Sequence, residues 1–137
     1  MDRETVLTII GEAYAARRAG DVKALEAYWA EGATYELAGD KSLLAAFPAA
    51  GPADSHPAVA AIMARIDMPK TELLDAVVEF PRAVVHWRAT VAFGDRPPFE
   101  TQICDIFTFD ETGKIRSLLQ FSDTAQVVEE MRKAAWG

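Results

Sequence analysis

Residues 99–115 read Phe99-Glu100-Thr101-Gln102-Ile103-Cys104-Asp105-Ile106-Phe107-Thr108-Phe109-Asp110-Glu111-Thr112-Gly113-Lys114-Ile115. Alternate side chains of a strand point to opposite faces. The odd positions carry Phe99, Thr101, Ile103, Phe107 and Phe109, which makes theirs the interior face. Asp105 falls on that same face. Burying a carboxylate without partners costs several kcal/mol or more, so such an acid stays protonated or finds donors. Asp110-Glu111-Thr112-Gly113 then supplies a turn, and Ile115–Phe121 reads as the returning strand.

Working outward, Thr71–Phe80 and Val84–Phe93 are β-branched or aromatic and are separated by Pro81-Arg82. Gly94-Asp95-Arg96-Pro97-Pro98 divides Val84–Phe93 from the strand of Asp105. Such short connections imply antiparallel neighbours. In Val84–Phe93 the odd residues, Trp87 among them, face inward, while His86 and Arg88 face out. Upstream, Val6, Ile9, Ile10, Ala13 and Tyr14 recur at helical spacing behind an Asp2 cap. Asp21 opens a second helix with a stripe of Val22, Leu25, Tyr28 and Trp29, stopped by Glu31-Gly32. Ala33–Leu37 is a short strand. Ala38–Asp54 reads as a long loop, a lid over the site with Leu43, Leu44 and Phe47 as its apolar residues. His56-Pro57 opens a third helix bearing Val59, Ile62, Met63 and Ile66. Asp123 and Gln126 form a capping-box pattern for a last helix with Val127, Val128 and Met131. The order predicts one α+β domain over residues 1–137, with helices on one face of a curved sheet.

The 137 residues carry 14 basic and 21 acidic side chains, a net charge of −7, with no basic stripe, so a nucleic-acid partner is not expected. No apolar run approaches the roughly 20 residues of a membrane span, and the N-terminus does not read as a secretory signal. A cytoplasmic location follows as the expectation. The single cysteine, Cys104, excludes an internal disulfide or a cysteine metal cluster. No histidine and acid pair has metal-ligand spacing, and no cofactor motif is present. His86 lies on the outer face, and His56 precedes a proline at a helix start, a capping or solvated position.

Two stretches carry a family likeness. Ala19-Gly20-Asp21-Val22-Lys23-Ala24-Leu25 leads through Tyr28-Trp29-Ala30-Glu31-Gly32-Ala33-Thr34-Tyr35-Glu36, and Asp105 to Ile115 forms a final hairpin. In that order they resemble the nuclear transport factor 2-like superfamily, within it the ketosteroid isomerases and SnoaL-like polyketide cyclases. The resemblance implies a cone-like barrel of strongly curved antiparallel or mixed sheet wrapped around the N-terminal helices. It implies a small apolar, oxygenated ligand, and a homodimer formed through the outer sheet face around Cys104, Ile106, His86 and Arg88. Asp105 matches the protonated aspartate of ketosteroid isomerases, where a neutral acid donates a hydrogen bond to a ligand oxygen. Tyr14 is the candidate tyrosine, although counting back from Gly20-Asp21 puts the expected hydroxyl at Ala13.

The base position of those enzymes falls on Leu37, with Glu36 on the opposite strand face, so their standard proton abstraction is not expected. An epoxide-hydrolase site would need an arginine where Ile103 stands. The implied lining of the cone is Trp29, Tyr35, Leu37 and Ile62. Trp87, Phe107, Leu118 and Gln120 complete it. The functional expectation is an isomerase- or cyclase-type protein using Asp105 as hydrogen-bond donor or acid. Its alternative is a non-catalytic ligand-binding or dimeric interaction module of the same fold.

Overall fold

A computed structural model of the chain describes residues 1–39 and 66–134. Helix α1 (Arg3–Ala19) starts at Asp2, whose carboxylate accepts from the Thr5 amide at 2.8 Å. It ends at Gly20, whose φ of 69° is the left-handed conformation that glycine adopts without a Cβ penalty. Helix α2 (Val22–Glu26) is capped by Asp21 through the Ala24 amide at 3.0 Å. Five strands follow: β1 (Trp29–Leu37), β2 (Ile66–Glu79), β3 (Arg82–Phe93), β4 (Phe99–Phe109) and β5 (Ile115–Ser122). Helix α3 (Thr124–Lys133) closes the described chain. None of the described helices is long and apolar enough to cross a membrane.

The sheet order is β1-β5-β4-β3-β2. The four later strands form the expected antiparallel meander. Strand β1 joins its far edge in parallel with β5, which makes the sheet mixed. The sheet is curled but not closed, because β1 and β2 remain its two edges. Its concave face packs on α1, where Val6, Ile10, Ala13 and Tyr14 meet Val85, Trp87, Phe107 and Ile115 in one buried cluster. The odd positions of β3 and of β4 from Thr101 onward are buried as the alternation predicts.

Several boundaries differ from expectation. Tyr28 and Trp29 do not continue α2, because Ala27 and Tyr28 turn back to the carbonyls of Ala24 and Leu25. Strand β1 therefore begins at Trp29, opposite Ile115, and passes through Glu31-Gly32 instead of starting after it. Gly32, at φ 74°, takes up the irregularity between Trp29 and Thr34. Ile66 opens β2 opposite Phe93 and does not end a helix. Gln126 supplies its backbone amide to Asp123 at 3.1 Å, but its side chain reaches the Glu100 carbonyl at 2.9 Å. That contact ties α3 to β4 and leaves the capping box half made. The expected loop beyond Gly39, the third helix before Ile66, and Ile62 with it lie outside the described residues.

Candidate active site

Asp105 is wholly buried in the middle of β4. Three elements aim donors at its carboxylate. The Tyr14 hydroxyl, from α1, hydrogen-bonds Oδ2. The Trp87 indole, from β3, donates to the same oxygen at 3.1 Å. From β5, Gln120 Nε2 donates to Oδ1 at 2.9 Å, as the Asp105–Gln120 register dictates. Tyr35 extends the network from β1 by donating its hydroxyl to Gln120 Oε1 at 2.8 Å. Tyr14 and Trp87 also pack ring against ring, with centroids 4.3 Å apart.

Burial and hydrogen bonding act on Asp105 in opposite directions. Burial disfavours the carboxylate, while the donors of Tyr14, Gln120 and Trp87 favour it; burial prevails, and the pKa is pushed up to about 6. Tyr14 is raised well above the ordinary tyrosine value, first by burial and then by the Asp105 charge. Tyr35 is raised for the same two reasons. Both hydroxyls therefore keep their protons, and Asp105 is the group of this network that titrates near physiological pH.

A cavity of about 120 Å³ opens beside this network, against the roughly 10–15 Å³ that one buried water needs. Of the residues expected to line it, Trp29, Tyr35, Leu37, Phe107, Leu118 and Gln120 stand in its wall, together with the catalytic candidate Tyr14. Asp105 and Trp87 do not. The carboxylate meets that wall through its hydrogen bonds to Tyr14 and Gln120, which stand in it. The one-residue slip in the tyrosine position does not separate Tyr14 from Asp105, and Ala13 lines the same wall. Leu37 stands opposite Gln120 in the β1–β5 register, while Glu36 faces outward and is exposed.

Arg17, Thr101 and Ser122 are further polar lining residues that the sequence reading did not single out. Arg17 follows Tyr14 by three positions, one turn along the same helix face. Thr101 shares the inward parity of Asp105, and Ser122 follows Gln120 by two. On the outer face, His86 Nε2 pairs with Gln102 Oε1 at 2.7 Å, away from the cavity. Cys104 is half-buried, and burial raises its thiol pKa, which lowers its reactivity. Among the described residues no cluster of His, Cys, Asp or Glu could hold a metal ion.

Solved structures share this fold from end to end. A proposed isomerase from Rhodopseudomonas palustris superimposes with a TM-score of 0.75 at 13% identity, over 97% of this chain and 99% of that one. A nuclear transport factor 2-like protein from Burkholderia xenovorans gives 0.71 at 24% identity, over 95% and 98%. A proposed polyketide cyclase from Xanthomonas campestris gives 0.67 at 13%, over 93% and 97%. At these identities the likeness is one of fold. No curated protein matches the chain in sequence. The sequence profile of the SnoaL-like domain matches residues 10–118, from the middle of α1 to the wall residue Leu118, and the chain belongs to that family, within the nuclear transport factor 2-like fold.

Proposed function

We propose that the protein takes a small, largely apolar, oxygen-bearing molecule into the cone and polarises its oxygen through Tyr14, with Asp105 setting the polarity of that hydroxyl. The observation that carries this reading is a wholly buried carboxylate held by Tyr14 and Gln120, both of which line an otherwise mainly apolar cavity. When Asp105 is ionised it accepts a hydrogen bond from the Tyr14 hydroxyl, and Tyr14 offers the cavity only its lone pairs. When Asp105 is neutral it donates to Tyr14 Oη, and the Tyr14 hydrogen turns toward the ligand oxygen. A donor placed on a carbonyl oxygen stabilises the enol-like charge of an isomerisation or cyclisation. General-acid help of this kind contributes about 10²–10⁴-fold.

The alternative, a binding protein without turnover, draws on two observations. Leu37, which the family resemblance puts at the base position, lines the cavity with a side chain that accepts no proton, and all three donors to Asp105 come from the protein itself. Both readings share the ligand, and the fold family includes cyclases and isomerases. We also propose a homodimer through the outer sheet face. Val77, Val84, Ile106 and Leu119 stand opposite one another across four adjacent strands and form an apolar stripe there, with Val77 and Val84 exposed.

Calorimetric titration with 1-tetralone, a compact neutral ketone, tests the binding. Affinity is expected to rise as pH falls through about 6, the Asp105 pKa. The Tyr14→Phe variant should lose that pH dependence. Absence of binding at every pH, or a pH dependence indifferent to Tyr14→Phe, would overturn the reading.

A further inference from the structure

The polar wall around Asp105 leaves Arg17 without a role. Arg17 is half-buried and lines the cavity one helical turn beyond Tyr14. Its Nη2 donates to the Ile66 carbonyl at 2.7 Å, which fixes the guanidinium against the start of β2. Among the described residues it forms no ion pair, and Nε and Nη1 have no hydrogen-bond acceptor. Asp67 acts on it electrostatically, yet Asp67 is exposed and stays beyond ion-pair distance. Burial lowers the pKa of Arg17, but a guanidinium remains charged in proteins. A cation set in apolar surroundings without a counter-ion is costly, and its planar fork of N–H groups matches a carboxylate.

A second observation points the same way. Thr101 Oγ1 and Ser122 Oγ are buried, line the same cavity and have no hydrogen-bond partner among the described residues. Ser122 lies opposite Ile103, so Thr101 is the next inward position along β4. Along the sheet, Thr101, Ser122 and the Ile66 anchor of Arg17 all lie to one side of Asp105, toward Phe93. That end of the cavity therefore offers one cation and two unused hydroxyls, beyond what the Asp105 network needs.

We propose that the molecule taken by the cavity is an anion, an apolar body whose carboxylate is held by Arg17 while its other end points to Tyr14 and Gln120. The proposal rests on the binding function proposed above and narrows it to apolar carboxylates. The test is a calorimetric comparison, at neutral pH, of trans-cinnamate with trans-cinnamamide, which share a shape and differ in charge. The wild type should bind the carboxylate about 10-fold more tightly or better, as a charge-assisted hydrogen bond implies. Arg17→Gln should lose that preference, its affinity for the carboxylate falling to its own affinity for the amide. Arg17→Lys keeps the charge without the planar fork and should retain a smaller preference, which Arg17→Gln lacks. Equal wild-type affinity for the two compounds overturns the anion assignment and leaves ligand binding standing. A preference that survives Arg17→Gln overturns it as well. Binding of neither compound overturns the assignment together with the function on which it rests.

Discussion

At the scale of the residue, Asp105 is tolerated rather than stabilising. Its folded pKa of about 6 lies above its ordinary value of 3.8. Below 3.8 both folded and unfolded chains hold the proton, and above 6 neither does. Between them only the folded chain holds it, so stability falls as pH rises through that window. The full effect is about 3 kcal/mol, counting 1.36 kcal/mol per pKa unit, in order of magnitude. Asp105→Asn removes the titration, and the cavity-side Gln120 amide can turn to accept from the new side chain. Urea unfolding at pH 4 and pH 7 should show the wild type losing stability relative to Asp105→Asn on the way up. Parallel changes in the two proteins would mean that Asp105 titrates as an ordinary aspartate. This residue was legible in the sequence, since an acid on a face of Phe and Ile stands out by parity alone. That it would meet the cavity through Tyr14 and Gln120, without lining it, was not legible, because lining depends on which neighbours stand in the wall.

Elements were legible where the periodicity was unbroken. Strand β4 begins and ends where the alternation from Phe99 to Phe109 does. Periodicity misleads where two patterns coincide: Leu25, Tyr28 and Trp29 have helical spacing, yet Trp29 is the first residue of β1. Backbone hydrogen bonds from Ala27 and Tyr28 end α2 there, and no apolar pattern reports them. Likewise the apolar Ile66 suits a helix face as well as a strand start, and its pairing with Phe93 decides. Arg17 was missed because a charge near a helix end reads as solvated, although its position one turn after Tyr14 places it on the cavity face. The end of α1 depends on Gly20, at φ 69°. Placing a Cβ there costs about 1–2 kcal/mol, so Gly20→Ala should lower the unfolding free energy by that amount in urea titration. An unchanged midpoint would show that α1 does not need this stop.

On the scale of the whole molecule, an open curled sheet has two faces, and α1 covers only the concave one. The convex face keeps the stripe of Val77, Val84, Ile106 and Leu119, flanked by Arg88 between Glu72 at 3.0 Å and Glu100 at 3.4 Å. A second copy over that stripe is the proposed cover. Sedimentation velocity should give a dimer at micromolar concentration, and Val84→Arg, which sets a charge in the stripe, should give a folded monomer. A wild-type monomer would remove the proposal. Of Cys104, Ile106, His86 and Arg88, the residues expected on this face, only Ile106 belongs to the stripe; its alignment with Val77, Val84 and Leu119 emerges only from the strand register.

If Tyr14 polarises the ligand's oxygen as proposed, occupancy of the cone shifts the protonation of Asp105. Carbon NMR titration of the Asp105 carboxyl, without ligand and then saturated with 1-tetralone, tests it directly. A ketone prefers the neutral acid, whose proton frees the Tyr14 hydroxyl to donate, so binding must raise the pKa. The midpoint is expected near 6 in the empty protein and higher in the complex. A midpoint near 4, or one near 6 that the bound ketone leaves unmoved, would contradict it.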